Sequence, residues 1–219
     1  MSRSMTFFLL IFTPLLAIGL AGLGIFTLKT NLLGWFLLFM GAAYAIGGPL
    51  YIWKRKGEPP ARQEERGDRS FWLIQPGFIL AIFGAPLEYL FVPTVLPRLL
   101  GMQVTGLLLM IAGVFLLSWA RRVIRGQFSG HVRIQEGHQL VQSGPYQFVR
   151  HPGYLGYLLI VFGIAVGFSS LSAAASMVML LLPGLIYRIN VEEKMLVEAF
   201  GQDYLQYAGR TKRLLPGIW

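Results

Sequence analysis

The hydrophobic positions of this 219-residue chain form long, nearly uninterrupted runs separated by short polar stretches. A helix needs about 20 mostly apolar residues to cross the roughly 30 Å hydrocarbon core of a bilayer. Six runs meet or approach that length, which predicts six transmembrane helices. They cover residues 6–28, 32–53, 71–92, 99–120, 153–168 and 171–187.

The last two runs are short and are separated only by Ser169 and Ser170, which predicts a tight helical hairpin over residues 153–187. The first run exceeds the roughly 7–15 apolar residues of a signal-peptide core, so we expect a retained transmembrane helix. The pattern as a whole predicts an all-α, polytopic membrane protein with about six transmembrane helices.

Polar residues that could bind a ligand or take part in catalysis lie almost wholly after position 120. We therefore expect residues 1–120 to form a four-helix transmembrane scaffold. Residues 121–219 are expected to form the catalytic region, which contains the hairpin and a cytosolic C-terminal helix.

Composition supports a membrane protein and limits its chemistry. The chain is 55% hydrophobic and 13% charged, whereas an average soluble domain has about 25% charged residues. It contains no cysteine, which excludes disulfides, thiolate catalysis and cysteine–metal sites. The net charge of +9 is typical of cytoplasmic loops that face anionic lipid, more than of nucleic-acid binding.

Charge placement predicts the orientation in the membrane. Of the 19 lysines and arginines, all but Lys29 and Arg98 fall on the side of the six-helix arrangement that holds both termini. The positive-inside rule places that side in the cytoplasm.

Three polar clusters lie on that side, at residues 138–146, 150–156 and 188–204. In the first, Gly144-Pro145 interrupts regular structure, and the glycine allows backbone to approach a ligand closely. The same dipeptide also marks ordinary loops, so the loop alternative stays open.

The second cluster contains Pro152, which suits the first turn of a helix. His151 is then held extended just before the helix begins, where free N–H groups can face an anionic group. The alternative is that Arg150 and His151 only anchor the helix at the lipid headgroups.

The third cluster contains two adjacent acids with different explanations. Asn190 can cap a helix that starts at Val191, and Glu193 then completes a pattern close to a capping box. Glu192 is not explained in this way. Arg188 lies four residues before Glu192, so the two share a face if the helix is continuous. Arg188 can reach lipid phosphates or bind a carboxylate.

Other polar residues are weaker candidates. Glu88 lies near the outer end of the third helix, where an intramembrane carboxylate suggests function but an interfacial position explains it as well. Three histidines without metal-like spacing, and no cysteine, argue against a catalytic metal.

Together the clusters resemble the isoprenylcysteine carboxyl methyltransferase family, whose relatives include the phospholipid N-methyltransferases. The similarity covers about residues 128–219, while residues 1–100 are similar only in being membrane helices. The matching segments are, in order, Leu140-Val141, Gly144-Pro145-Tyr146, Arg150-His151-Pro152-Gly153-Tyr154-Leu155-Gly156, Glu192-Glu193 with Leu196, and Phe200-Gly201-Gln202-Asp203-Tyr204-Leu205-Gln206-Tyr207. The end of the chain, Arg213-Leu214-Leu215-Pro216, is also similar to the family.

The resemblance implies a cytosol-facing pocket for S-adenosylmethionine, closed over by the C-terminal helix, with S-adenosylhomocysteine as product. Arg188 would meet the carboxylate of the acceptor, and we count Arg188 and Glu192 as the candidate catalytic residues. The candidate cofactor-binding residues are His138, Leu140, Val141, Gly144, Tyr146, Arg150, His151, Pro152, Tyr154, Glu192 and Glu193.

The resemblance also implies a lipid-like acceptor, a lipid or a prenylated molecule, that enters from the bilayer. A carboxylate is already deprotonated at pH 7, and no residue offers itself as the base that an amine or thiol would need. We therefore favour carboxyl O-methylation of an isoprenylcysteine-type or related amphipathic carboxylate, with phospholipid or thiol methylation as an alternative.

Two other function classes stay open. Membrane sterol-type reductases that use NADPH have a similar His-Pro-x-Tyr segment, and Arg121, Arg122 and Arg125 could hold the 2′-phosphate. Those enzymes typically have Asn at the position of Gly153 and lack the Glu-Glu and Phe-Gly-x-x-Tyr segments. A non-enzymatic membrane protein is the other alternative, although the repeated halves and mid-bilayer charges typical of transporters are not evident.

Overall fold

The structure is a computed structural model that describes residues 3–54, 70–93, 96–124 and 140–215. We number each run of consecutive helical segments as one helix. By this numbering the described residues form six helices, namely α1 (Arg3–Leu28), α2 (Gly34–Lys54), α3 (residues 71–91), α4 (Leu100–Val123), α5 (Pro152–Phe168) and α6 (Leu171–Arg210).

Three of these helices are long and apolar enough to cross a membrane, over Trp72–Phe91, Leu100–Val123 and Leu171–Arg210. Shorter apolar stretches of 10–17 residues lie within α1 and α2, over Pro14–Leu28 and Gly34–Gly47, and in α5 over Pro152–Phe168. Many large apolar side chains point outward, such as Trp72 at 75% exposure and Met179 at 72%, which suits contact with lipid. The described residues thus confirm an all-helical membrane protein, while the count of six spans stays a prediction.

Helices α3 and α6 each contain a π-helical segment, Leu80–Gly84 and Met177–Leu181. Pro86 and Pro183 follow these segments closely. A proline has no N–H, and its ring displaces the carbonyl four residues earlier, which in both helices lies inside the π segment. The wider turn accommodates the displaced carbonyl, so each helix continues past its proline.

Close packing of α4 against α5 depends on glycines. A Cβ added at Gly106 would lie 2.5 Å from the carbonyl oxygen of Gly163 and 2.5 Å from the Cα of Gly167. The Gly-x-x-x-Gly pattern at 163–167 therefore forms a packing face, as its spacing predicts. This contact holds α5, and with it the polar residues at its start, against α4.

We expect Gly106→Ala to destabilise the protein by about 1–3 kcal/mol, because the atoms opposite are backbone and cannot rotate away. Gly101→Ala on the same helix is the matched control, since a Cβ there meets nothing within 4 Å. The thermal midpoint in detergent should fall for Gly106→Ala only. Equal midpoints for the two variants would contradict the α4–α5 packing.

The predicted two-residue connection between α5 and α6 is present. Ser169 adopts a left-handed conformation with φ 50°, and the Ser170 side chain caps α6. Glu88 on α3 accepts a hydrogen bond from the Ser170 hydroxyl at 2.6 Å, and two more from the first two backbone N–H groups of α6 at 3.0 and 2.9 Å. A carboxylate at a helix N-terminus is stabilising. Glu88 therefore fastens the hairpin to α3.

The expectation that a new helix starts at Val191 is wrong. The helix is continuous through Asn190, and the first departure from helical geometry comes at Gly201, where φ is 52° and ψ −123°. Asn190 cannot act as an N-cap, because the helical backbone continues on both sides of it. Glu193 consequently faces other partners.

Candidate active site

The candidate site lies where three parts of the chain meet: the start of α5, the middle of α6, and a segment that we call the C-terminal strap. The strap, residues 202–215, comprises the last turns of α6 and the five residues after them. Helix α5 begins at Pro152, as predicted, and His151 precedes it in a non-helical conformation with φ −123° and ψ 59°. The missing N–H of Pro152 is no loss in the first turn. The side chains of His151 and Tyr154 are thereby placed facing α6.

The strap pairs with the backbone just before α5. The N–H groups of Arg150 and His151 donate to the carbonyls of Lys212 and Arg213 at 2.7 and 3.0 Å. An isolated parallel bridge joins Val149 to the same strap segment. The site is therefore bounded on one side by residues about 60 positions further along the chain.

A first cluster of charges surrounds Glu192. The Nε of Arg188 donates to the Tyr154 hydroxyl oxygen at 2.8 Å and to Glu192 Oε1 at 3.2 Å. The Tyr154 hydroxyl itself donates to Glu192 Oε1. Because α6 is continuous, Arg188 and Glu192 share one face, as their spacing predicts if the helix continues.

A second cluster surrounds Glu193. Its Oε1 accepts from the Nε of Arg150 at 2.8 Å, and its Oε2 accepts from the Nε of Arg213 at 2.9 Å. The Nη2 of Arg213 lies 2.7 Å from the same Oε2. Both carboxylate oxygens are therefore occupied by guanidinium groups from two different segments.

His151 lies between the two acids. Its Nδ1 is 3.5 Å from Glu192 Oε2 and its Nε2 is 3.4 Å from Glu193 Oε1. Its ring stacks on Tyr154 with centroids 5.6 Å apart. Burial by itself would lower the pKa of His151, but hydrogen bonds and attraction to the two carboxylates outweigh burial and raise the pKa above its ordinary value.

We expect this pKa to make stability depend on pH. A raised folded-state pKa means that the protonated imidazole stabilises the fold fully below the unfolded pKa of about 6.5, and that this stabilisation is lost as pH rises through the folded pKa. The thermal midpoint of the wild type, relative to His151→Gln, should be highest below pH 6.5 and should decline above it. A difference that grows with pH would contradict this arrangement.

Two tyrosines connect the strap to the 3₁₀ turn Gly144–Gln147. The Tyr207 hydroxyl donates to the Tyr146 carbonyl at 2.6 Å. Burial, followed by the electrostatic effects of Tyr207 and Glu192, raises the pKa of the Tyr146 hydroxyl, so this side chain stays neutral at physiological pH. Tyr146 thus offers a neutral aromatic face close to the start of α5.

The other candidate residues are placed less centrally. Leu140 and Val141 are half-buried in irregular backbone before the 3₁₀ turn. Gly144 has φ +62°, and a Cβ there would lie 2.8 Å from Val123 Cγ2, so its conformation serves close packing on α4. His138 lies outside the described residues. The structure brings together Arg150, His151, Tyr154, Arg188, Glu192 and Glu193.

The sequence did not predict which side chains the strap contacts. Arg213 completes the Glu193 cluster, and the Nη1 of Arg150 donates to the carbonyls of Ala208, at 2.8 Å, and Thr211. The signals in the sequence were the segment Arg213-Leu214-Leu215-Pro216, which resembles the family, and the basic stretch after position 209. Within the described parts of the chain, no group of three or more acids or histidines could hold a metal ion.

Comparisons with known proteins identify the family. A family model described as phospholipid methyltransferase matches residues 102–203. A probable protein-S-isoprenylcysteine O-methyltransferase of Oryza sativa subsp. indica is 30% identical over 151 residues, which cover 67% of this chain and 79% of the rice protein. This chain belongs to the isoprenylcysteine carboxyl methyltransferase family.

Other members of the family show similar agreement. Protein-S-isoprenylcysteine O-methyltransferase B of Arabidopsis thaliana is 30% identical over 154 residues, covering 68% of this chain and 78% of that protein. The Homo sapiens enzyme is 31% identical over 134 residues, covering 60% of this chain and 47% of its own length. The resemblance carried by the sequence motifs is therefore confirmed.

The fold agrees as well. A solved eukaryotic intramembrane Ras methyltransferase, isoprenylcysteine carboxyl methyltransferase, superimposes with a TM-score of 0.56 at 20% identity, covering 91% of this chain and 73% of that one. As a member of this family the chain is a membrane methyltransferase, and the family implies a methyl donor of the S-adenosylmethionine type. The family-model match includes Tyr154 and Glu192, whereas Arg213 lies beyond it.

Proposed function

We propose that this protein transfers a methyl group from S-adenosylmethionine to the carboxylate of an isoprenylcysteine-type or related amphipathic acceptor. The observation that carries the proposal is the Arg188–Tyr154–Glu192 cluster. It holds a guanidinium and a carboxylate side by side between the start of α5 and the middle of α6. Such a pair can receive an anionic acceptor and a cationic cofactor next to each other.

The residues present suit the chemistry of the cofactor. S-adenosylmethionine has a zwitterionic amino-acid tail, an adenosine and a cationic sulfonium. Glu192 would accept hydrogen bonds from its ammonium or ribose hydroxyls, and His151 would hold its carboxylate. The rings of Tyr146 and Tyr154 would face the adenine or sulfonium, and a cation over such a ring gains about 0.5–2 kcal/mol. When bound, the cofactor supplies an electrophilic methyl group.

The remaining candidates would form the walls of this pocket. Leu140, Val141 and Pro152 offer apolar surface, and His138 and Gly144 belong to the same polar cluster in the sequence. Arg150 already binds Glu193 and two strap carbonyls. We therefore propose that Arg150 holds Glu193 and the strap in place beside the pocket.

Arg188 is the residue proposed to orient the acceptor. Its guanidinium can hold a carboxylate in two-point geometry, which fixes the direction of the reacting oxygen. A carboxylate needs no base at neutral pH, so catalysis would depend mainly on alignment and on exclusion of water. The side chain of Arg188 is only 16% exposed, which suits a site closed to bulk water.

We further propose a multi-pass topology with both termini and the site on the cytoplasmic side. The distribution of lysine and arginine supports this orientation. Residues 1–120 would serve as scaffold and residues 121–219 as the catalytic region. The acceptor would then reach Arg188 laterally from the bilayer.

The test is methyl transfer from tritiated S-adenosylmethionine by the purified protein in nanodiscs. We expect transfer to N-acetyl-S-farnesylcysteine and none to its carboxamide, which keeps the lipid but lacks the carboxylate. Transfer to phosphatidylethanolamine instead, or to a lipid thiol, would contradict the carboxylate assignment while leaving a methyltransferase.

A further inference from the structure

The carboxylate of Glu193 is already bound by other side chains, so little of its hydrogen-bonding capacity is open to a ligand. One oxygen binds Arg150 and approaches His151, and the other binds Arg213 through two nitrogens. Its side chain is 12% exposed. Three positively polarised groups from two chain segments therefore converge on a single carboxylate. A cofactor ammonium would have to displace them.

The three partners of Glu193 belong to the junction between the strap and α5. Arg150 and His151 precede α5, and Arg213 lies in the strap. The backbones of these same residues are already joined, because the N–H groups of Arg150 and His151 donate to strap carbonyls. Glu193, which lies in α6 before Gly201, thus stabilises the contact between the strap and the segment before α5.

The strap has a defined pivot. Gly201 has φ 52° and ψ −123°, a region that is essentially restricted to glycine. A Cβ at Gly201 would meet nothing within 4 Å, so space is not the reason for a glycine there. Backbone geometry alone requires it, and it is the point at which α6 turns towards the segment before α5.

We infer that Glu193 is a positioning residue that fastens the C-terminal strap across the site, and that the strap opens about Gly201 to admit and release the cofactor. For its ligand the inference rests on the proposed function, but opening of the strap can be measured without any ligand. The fastening is electrostatic, because one carboxylate holds two guanidinium groups and an imidazole. Arg213 is the guanidinium that the strap itself contributes, and it is the more exposed of the two, at 29% against 11% for Arg150.

Opening is tested directly by hydrogen exchange on the ligand-free protein in detergent. The peptide containing the Arg150 and His151 amides should exchange about tenfold faster in Glu193→Gln, because neutralising a carboxylate weakens each charged hydrogen bond. Asp203→Asn, an exposed acid on the same strap, is the control and should leave exchange unchanged. Unchanged exchange in Glu193→Gln would overturn the inference.

The pivot is tested by a pair of glycine substitutions in α6. Gly201→Ala makes the closed backbone strained, whereas Gly209→Ala adds the same methyl group in ordinary helix with open space around it. Amide exchange at Arg150 and His151 should accelerate in Gly201→Ala and not in Gly209→Ala. Equal exchange in the two variants would exclude Gly201 as the pivot.

Ligand kinetics separate positioning from direct binding. In Glu193→Gln, both the association and the dissociation rate constants of S-adenosylhomocysteine should rise about tenfold, with a smaller change in Kd. A faster dissociation with unchanged association, together with normal amide exchange, would make Glu193 a direct ligand and overturn the inference. If the wild type binds no S-adenosylhomocysteine, the proposed function fails, and the exchange results still decide whether the strap opens.

Discussion

Replacing Glu192 with alanine is expected to lower kcat/KM for methyl transfer by about 100-fold, the size of effect expected when a charged hydrogen-bond acceptor worth about 1.5–3 kcal/mol is removed. Glu192 is the common acceptor for Tyr154 and Arg188 and lies 3.5 Å from His151. Its loss removes the acceptor that Arg188 and Tyr154 share, whereas the neighbouring carboxylate of Glu193 is already occupied by Arg150 and Arg213.

The measurement is the initial rate at varied S-adenosylmethionine and saturating acceptor. Glu198→Ala, which removes an exposed acid further along α6, is the matched control and should stay within about twofold of the wild type, as is usual for surface substitutions. A Glu192→Ala enzyme with nearly normal kcat/KM for the cofactor would show that Glu192 only holds Arg188 in place.

Replacing Arg188 with glutamine is expected to act chiefly on the acceptor. A guanidinium that binds a carboxylate in two-point geometry contributes more than a single neutral hydrogen bond, so kcat/KM for the acceptor should fall by about 100-fold. The Kd of S-adenosylhomocysteine should change much less. Arg188→Lys should recover only part of the loss, because an ammonium keeps the charge but not the planar fork.

The control for Arg188 is Lys194→Gln, which removes an exposed positive charge from the same helix. Initial rates at varied farnesylcysteine and saturating S-adenosylmethionine separate the two substrates. If Arg188→Gln weakens cofactor binding as much as it weakens the acceptor, then Arg188 acts through Glu192 and has no role of its own at the acceptor.

The features that the sequence predicted correctly depend on short spacings. The hairpin needs only two apolar runs with Ser169 and Ser170 between them, and the start of α5 needs only a proline at the right place. The pairing of Arg188 with Glu192 follows from four-residue spacing on one helix. Each of these is a local property, so one stretch of sequence contains all the information.

The features that the sequence did not predict depend on residues far apart. Arg150 and Glu193 are 43 positions apart, and the strap pairs with backbone about 60 positions earlier. Hydrophobic periodicity carries no information about such contacts. The same limitation explains the wrong prediction of a helix start after Asn190. The local capping pattern contains no information about the distant charged partners of Glu193.

Gly201 shows an intermediate case. Gly201 belongs to the Phe-Gly-x-x-Tyr segment that resembles the family, but only its backbone conformation shows why a glycine is needed there. Glu88 is similar, because an acid near a helix end has an interfacial explanation until the N-terminus of α6 is found beside it. In both cases the residue type was informative, but neither the backbone conformation of Gly201 nor the partner of Glu88 was visible in the sequence.

The most direct test of the central claim is calorimetric titration of the purified protein in mild detergent with S-adenosylhomocysteine, with NADPH as comparator and Glu192→Ala as the binding-site control. The Arg188–Tyr154–Glu192 site predicts micromolar binding of S-adenosylhomocysteine that is lost in Glu192→Ala, and no binding of NADPH. Clear binding of NADPH by folded protein that does not bind S-adenosylhomocysteine would contradict the assignment and favour a reductase.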